Sequence, residues 1–166
     1  MPNLERIKKY ENYLFLNTTP TAAGGAETWT RVTKSTDWTD TMNAATTTYD
    51  YISDSSPTDE IESYHPSTSV PYTAFIGDPI YDYVFNLYQT QATGMNAVSK
   101  TLRVYQQQDS GYNLATLADA LITIDNYNIA TGVITFDVGQ RGTPTHGTAS
   151  MLNGAPTFTP TVSVGG

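Results

Sequence analysis

Cysteine is absent from the 166 residues. That excludes disulfides, thiolate metal ligands and thiol nucleophiles, and it suits a chain that folds in a reducing cytoplasm. Basic residues are scarce: eight Lys and Arg stand against sixteen Asp and Glu, a formal net charge of −8. A protein that holds nucleic acid by neutralising phosphates needs the opposite balance, so this chain repels it on average. Charge of either sign makes up only 14% of the residues, which leaves the surface to Thr, Ser, Asn, Gln and Tyr. Such surfaces suit extracellular binding modules and subunits that pack into assemblies. No run approaches the ~18–20 apolar residues of a membrane span. The start, MPNLERIKKYENYLFLN, has a basic patch and then only Tyr13–Leu16 as an apolar run. A signal peptide needs about 7–15 apolar residues, so export by that route is not expected.

Recognisable reaction chemistry is also missing. No phosphate-cradling glycine loop occurs. There are two histidines. His146 lies near Ser150, a conceivable base and nucleophile, but no G-x-S-x-G elbow surrounds them. His65 precedes Pro66 in a stretch that looks mobile. Two histidines without cysteine match no zinc spacing. The acids at 54–62 lack the glycine of a calcium-binding loop. Trp29 and Trp38 could be sugar platforms, although buried or interface aromatics are the commoner case. No metal, cofactor or catalytic residue is therefore expected.

What is present is a β pattern with one helix. Residues 1–10 read as a polar arm or short helix, NYLFLNTT (12–19) as a strand, PTAAGGAE (20–27) as a turn and TWTRVTKS (28–35) as a strand. Thr46–Ile52 looks like a further strand. The stretch from Ser53 to Pro71 has three prolines, four acids and no Lys or Arg. It has no core period, and long loops inside a domain are usually functional or disordered. Ordering it would cost about 1–2 kcal/mol per residue, against burial of only Ile61, Tyr64 and Val70. The expectation is a loop that is mobile in the monomer and ordered by a partner.

The helix is predicted over about 79–90, ~18 Å long. Asp78 suits its N-cap, Pro79 its first position, and Asp82 its first turn. Ile80, Val84, Leu87 and Tyr88 form an apolar stripe, leaving Tyr81, Tyr83 and Phe85 free for a neighbouring subunit. In SKTLRVYQQQ (99–108), DALITIDNYN (119–128) and GVITFDVGQ (132–140), apolar and polar residues alternate, as in antiparallel strands buried on one face. RGTPTHGTAS (141–150) is expected as a turn before a possible strand at 148–152, and 153–166 as an extended tail. Strands, one helix, then strands imply a mostly β fold: an antiparallel β-sandwich or barrel flanked by one helix, with residues 1–152 as a single domain.

From 49 to 89 the chain joins a strand (YDYIS), an acidic stretch (TDEIESYHPS), an aromatic strand (VPYTAF) and GDPIYDYVFNLYQ. With SKTLRVYQ and VITFDVGQRGTPTHGTA further on, it resembles the major tail, or tail tube, proteins of long non-contractile-tailed bacteriophages. The resemblance spans roughly 28–150 and lies in the order of the segments. It implies a tube-fold β-sandwich without catalytic residues, assembled as hexameric rings stacked into a hollow tube that DNA traverses without specific binding. It further implies that loop 53–71, with Asp54, Asp59, Glu60, Ile61, Glu62 and Tyr64, touches the adjacent ring. Asp125 and Asp137, on the polar faces of their strands, are candidates for the lumen. The implied partners are copies of the chain itself, tail-tip initiator and terminator proteins and the tape measure protein, in a virion tail assembled in the host cytoplasm, with no membrane. A contractile-tail or secretion tube, or a glycan- or protein-binding β-sandwich, are the alternatives.

Overall fold

The computed structural model describes residues 6–20, 26–105, 113–152 and 155–161. The expected polar arm, the first turn, the strand at 99–108 and the tail each run partly outside these. The described elements are β1 (Asn12–Asn17), β2 (Trp29–Arg31), β3 (Thr39–Thr41), β4 (Ala44–Tyr49), β5 (Thr58–Tyr64), β6 (Ser67–Thr73), α1 (Pro79–Thr90), β7 (Val98–Tyr105), β8 (Asn113–Asn128), β9 (Val133–Leu152) and β10 (Ala155–Pro160). Hydrogen bonds order the main sheet β2-β1-β7-β8-β9-β6-β3, with β10 added to β9, while β4 and β5 pair only with each other. Neighbouring strands run antiparallel. The protein is mostly β and antiparallel, with one flanking α-helix.

The sheet folds over on itself. Leu14 and Leu16 of β1 share a core with Val70 and Tyr72 of β6 and with Ile134, Phe136 and Val138 of β9. β1 and β6 are not sheet neighbours, so they meet only across the interior. The chain after β2 helps to close the gap. Val32 N donates to Leu14 O at 2.8 Å, Thr73 N donates to Lys34 O at 2.9 Å, and the Ser35 hydroxyl donates to Pro71 O at 2.7 Å. On the other face of β1, Phe15 packs with Leu102, Val104, Ala115 and Ala149. Since side chains alternate along a strand, β1 is apolar on both faces.

One expected polar face is thus internal. Directly opposed residues share a face, and β1–β7 register sets Leu14 against Arg103 and Leu16 against Thr101. Thr101 and Arg103 therefore look into the core and are buried. The Arg103 Nη2 donates to the Thr68 hydroxyl, and that hydroxyl donates to the Asp40 carboxylate, which lies 3.4 Å from Nη2. This relay ties β7 to β6 and β3 across the interior.

Two further expectations are corrected. RGTPTHGTAS is not a turn, since β9 continues through it. The β8–β9 partners step from Leu117–Thr145 to Asp119–Arg141, so residues 142–144 sit opposite Ala118 as a bulge, with Gly142 at φ +70°. Gly and Pro signal broken pairing, and here the break bends a strand pair instead of ending it. The described part of the expected tail is also strand: β10 runs along β9 from Ala155–Leu152 to Pro160–Gly147. A Cβ on Gly147 would collide with the Thr159 carbonyl and come within 2.8 Å of the Pro160 Cα, so only glycine admits β10 this closely.

The helix forms where the sequence places it. Asp78 Oδ1 accepts from Ile80 N at 2.9 Å and from Tyr81 N at 3.1 Å, satisfying two of the orphan donors of the first turn. Gln91, in the left-handed conformation at φ 50°, closes the other end. Ile80, Val84 and Leu87 enter the interior core. Tyr88, expected on that stripe, is 41% exposed, because its ring turns to Phe85 and Tyr127 instead of the core. The Tyr72 hydroxyl donates to both oxygens of Asp78, at 3.1 and 3.0 Å.

Tyr72 makes stability depend on alkaline pH. Burial, reinforced by the adjacent Asp78 carboxylate, pushes its hydroxyl from 10.0 to about 12. The folded state keeps a proton that the unfolded chain releases near pH 10. The contribution is therefore complete below pH 10 and lost as pH rises from 10 to about 12. Urea unfolding across that window is expected to lose about 2–3 kcal/mol to this residue. Tyr72→Phe should flatten that part of the profile.

Candidate assembly interface

The segment expected as a mobile loop is regular structure. β4 and β5 form an antiparallel ribbon from Ala44–Tyr64 to Tyr49–Thr58, and residues 50–57 cross its tip. Three prolines and the lack of a core period suggested a mobile loop, but alternating Thr and acidic side chains can pair as strands when both faces meet solvent. Glu62 is the extra residue where the pairing jumps from Ala45–Ser63 to Thr46–Ile61. Pro66 then leads straight into β6.

No ribbon residue is buried. Tyr49 and Tyr51 stack at 5.8 Å, and Ile52 is fully exposed, with Ile61 at 56% and Tyr64 at 49%. The acids stand among these apolar groups. Thr48 Oγ1 donates to Asp59 at 2.6 Å, and Tyr49 Oη donates to Glu62 at 3.4 Å, while Asp54 and Glu60 are exposed. Residues 44–64 hold five acids and no base, and no Lys or Arg occurs anywhere between Lys34 and Lys100.

The helix carries a second aromatic surface, joined to the end of β8. Tyr127 stands edge-on to Phe85 at 6.1 Å and to Tyr88 at 5.7 Å, and Tyr81 stacks on Phe85 at 5.5 Å. The Tyr81 and Tyr127 hydroxyls are 3.2 Å apart. That hydrogen bond, with some burial, raises the Tyr81 hydroxyl to about 12. Of the three aromatics expected to be free for a neighbour, Tyr81 and Phe85 thus lie in an intramolecular cluster. Tyr83 packs at the core edge, where burial pushes its hydroxyl up. The helix ring most open to a partner is Tyr88.

The remaining candidates separate. Asp137 is half-buried on the outer face of the β6–β9–β8 sheet, opposite Ser69 and Thr123. Ser, Thr, Pro, Gly and Leu fill the surrounding positions, and Arg141 stands at the far end, opposite Asp119. Asp125 is the bulged residue between the Ile124–Phe136 and Asn126–Thr135 pairs, where it accepts from Asn126 Nδ2 at 3.0 Å. His146 Nδ1 meets the Thr116 hydroxyl at 3.2 Å, and His65 Nε2 meets that of Ser63 at 3.3 Å. Trp29 packs beside Phe15, and Trp38 packs at the interior core with its Nε1 donating to Asp40 at 3.1 Å. Among the described residues no three His, Asp or Glu converge as a metal site, and no helix is long and apolar enough to cross a membrane.

A groove of about 810 Å³ escaped the sequence reading. It runs between Lys9–Tyr10, the chain from Arg31 to Asp40, and Tyr105. The Arg31 guanidinium stacks over the Tyr13 ring at 3.9 Å. The Asn12 Oδ1 is buried there without a donor. These residues lie far apart in sequence, and only the basic run at 6–9 hinted at them.

A chain from the cryo-EM structure of the anti-feeding prophage (AFP) baseplate, 6-fold symmetrised, aligns with 86% of this chain and 96% of its own, at TM-score 0.46 and 6% identity. That likeness concerns the chain path and assigns no activity. No family model and no curated protein matches the sequence.

Proposed function

We propose that this protein is a structural subunit of a phage tail tube, assembling as hexameric rings that stack around a channel for DNA. The observation that carries the reading is the β4–β5 ribbon, a hairpin of 21 residues from Ala44 to Tyr64 in which none is buried. A lone two-stranded hairpin is marginal in water, and exposed Tyr51, Ile52, Ile61 and Tyr64 gain burial only against another molecule. An adjacent ring supplies that surface. Asp54, Asp59, Glu60 and Glu62 keep separate monomers soluble and restrict docking to a complementary site. Tyr88 and its aromatic neighbours are the helix contribution to contacts between subunits.

The sheet face around Asp137 suits the channel wall. It has hydroxyls and a carboxylate with Arg141 only at its edge, so DNA phosphates find little to hold them. Asp125 would stand at the rim of that face. The order of segments from 28 to 150 supports the same class, and with it the tail-tip, terminator and tape measure proteins as partners.

Negative-stain electron microscopy of concentrated protein tests the proposal. Stacked six-fold rings with a central hole are expected; particles that stay single at every concentration oppose it. Hydrogen exchange adds a second readout. Amides of Thr46–Ile61 should exchange with little protection in the monomer and become protected on assembly, whereas strong protection in the monomer would remove the ribbon's need for a partner.

A further inference from the structure

We infer that the acidic tip of the ribbon docks into the Arg31 groove of a second copy, which makes that groove the receiving half of the stacking contact. The inference rests on the tube reading and names the surface that meets the ribbon.

Charge complementarity is the first argument. The ribbon tip, 50–57, offers Asp50 and Asp54 beside Tyr51 and Ile52, all exposed. Lys9 and Arg31 line the groove. Among the described residues, neither Lys9 nor Arg31 pairs with a carboxylate. Asp40, on the same wall, is already held by Arg103, Thr68 and Trp38. Asp37 also lines the groove, so with Asp40 held by Arg103 the lining keeps an excess of one positive charge on a chain whose net charge is −8.

The second argument is the unmet Asn12 Oδ1, a buried acceptor in the groove. Such an atom is destabilising until it finds a donor. The tip brings several: the Tyr51 hydroxyl, the Ser53, Ser55 and Ser56 hydroxyls, and backbone N–H groups. Tyr10, Trp38 and Tyr105 supply aromatic wall for Tyr51 and Ile52.

The third is geometry. β3 lies just before the ribbon in the chain and the groove wall ends at Asp40, so the ribbon is rooted beside its own groove. Six paired residues of β4 carry the tip roughly 20 Å from that root. Tip and groove are different patches on one chain, so the contact is head-to-tail and repeats without limit. That is what stacking requires.

The test uses two charge-reversed full chains, Asp50→Lys/Asp54→Lys in the tip and Lys9→Glu/Arg31→Glu in the groove. Circular dichroism and melting first establish that each folds, and Lys9→Glu alone serves as a variant that keeps the Arg31–Tyr13 stack. Assembly is followed by sedimentation velocity and electron microscopy. Each reversed chain alone should need at least about tenfold more protein to assemble, equivalent to one lost strong contact. Mixed one to one, they should recover, because each reversed tip then meets a reversed groove. Added salt should weaken wild-type assembly. If the groove-reversed chain stacks like wild type, or the mixture does not recover while wild type forms rings, the groove assignment is overturned and the tube reading stands. If wild type itself forms no rings, both fall.

Discussion

Arg103→Ala is expected to destabilise the protein by about 3–5 kcal/mol, the usual result of removing one partner from a buried ionic contact. The guanidinium belongs to a residue only 6% exposed on the interior face of β7. Its Nη2 donates to Thr68, which is fully buried, and faces Asp40 at 3.4 Å. Alanine would leave the Thr68 oxygen short of a donor and open a void where the long stem packs beside Leu14 and Thr116. The melting point should fall on the order of 10 °C for a chain of this size. Arg103→Met separates charge from volume. It fills much of the same space, and Asp40, at 36% side-chain exposure, can turn to water. The Nε of Arg103 has no partner, so its desolvation is uncompensated and methionine removes that cost. Met should therefore recover most of the loss. Asp40→Ala, which strands the buried cation, should be more damaging than Arg103→Met. Urea unfolding of the three variants checks this, and an alanine variant within about 1 kcal/mol of wild type would contradict it.

Asp78→Ala is expected to cost about 2–4 kcal/mol, more than an ordinary N-cap. Loss of the cap itself is worth roughly 1 kcal/mol. The carboxylate also accepts the Tyr72 hydroxyl at 3.0 Å, and Tyr72 has no exposed surface. Its hydroxyl would lose a charged acceptor and keep only the Thr33 side chain and the Lys34 backbone as hydrogen-bonding neighbours, a loss of about 1.5–3 kcal/mol. Tyr72→Phe removes the hydroxyl that Asp78 accepts from, so the double variant should be more stable than the two single losses added together predict. Asp78→Asn retains an acceptor and should lose less. Denaturant unfolding of the four proteins gives the coupling directly; simple additivity would mean that the two residues do not act together.

Much of the chain's local structure was legible. Asp78, Pro79 and the spacing of Ile80, Val84 and Leu87 place the helix and its N-terminus, because caps and a 3.6 period are short-range properties. Alternation in 119–128 and 132–140 marks β8 and β9 for the same reason. The ribbon was not legible. Thr, Asp, Glu and Ser carry no burial signal when both faces are wet, and pairing between 44–49 and 58–64 depends on two segments finding each other. The bulge at 142–144 was equally hidden, since Gly142 and Pro144 look the same in a turn as in a bent strand.

The sequence alone determined the secondary elements with a strong period, the acidic balance, the stretch without a base, and the absence of cysteine chemistry. Each depends only on residue type and near neighbours. The tertiary structure decided which polar residues lie inside, that Arg103 meets Asp40 across the interior, that an acidic stretch stands out as a ribbon, and that Lys9, Arg31 and Tyr105 border one groove. Those facts arise when a sheet folds over and places β1 and β6 in one core, a proximity between residues too distant in sequence for any local pattern to record.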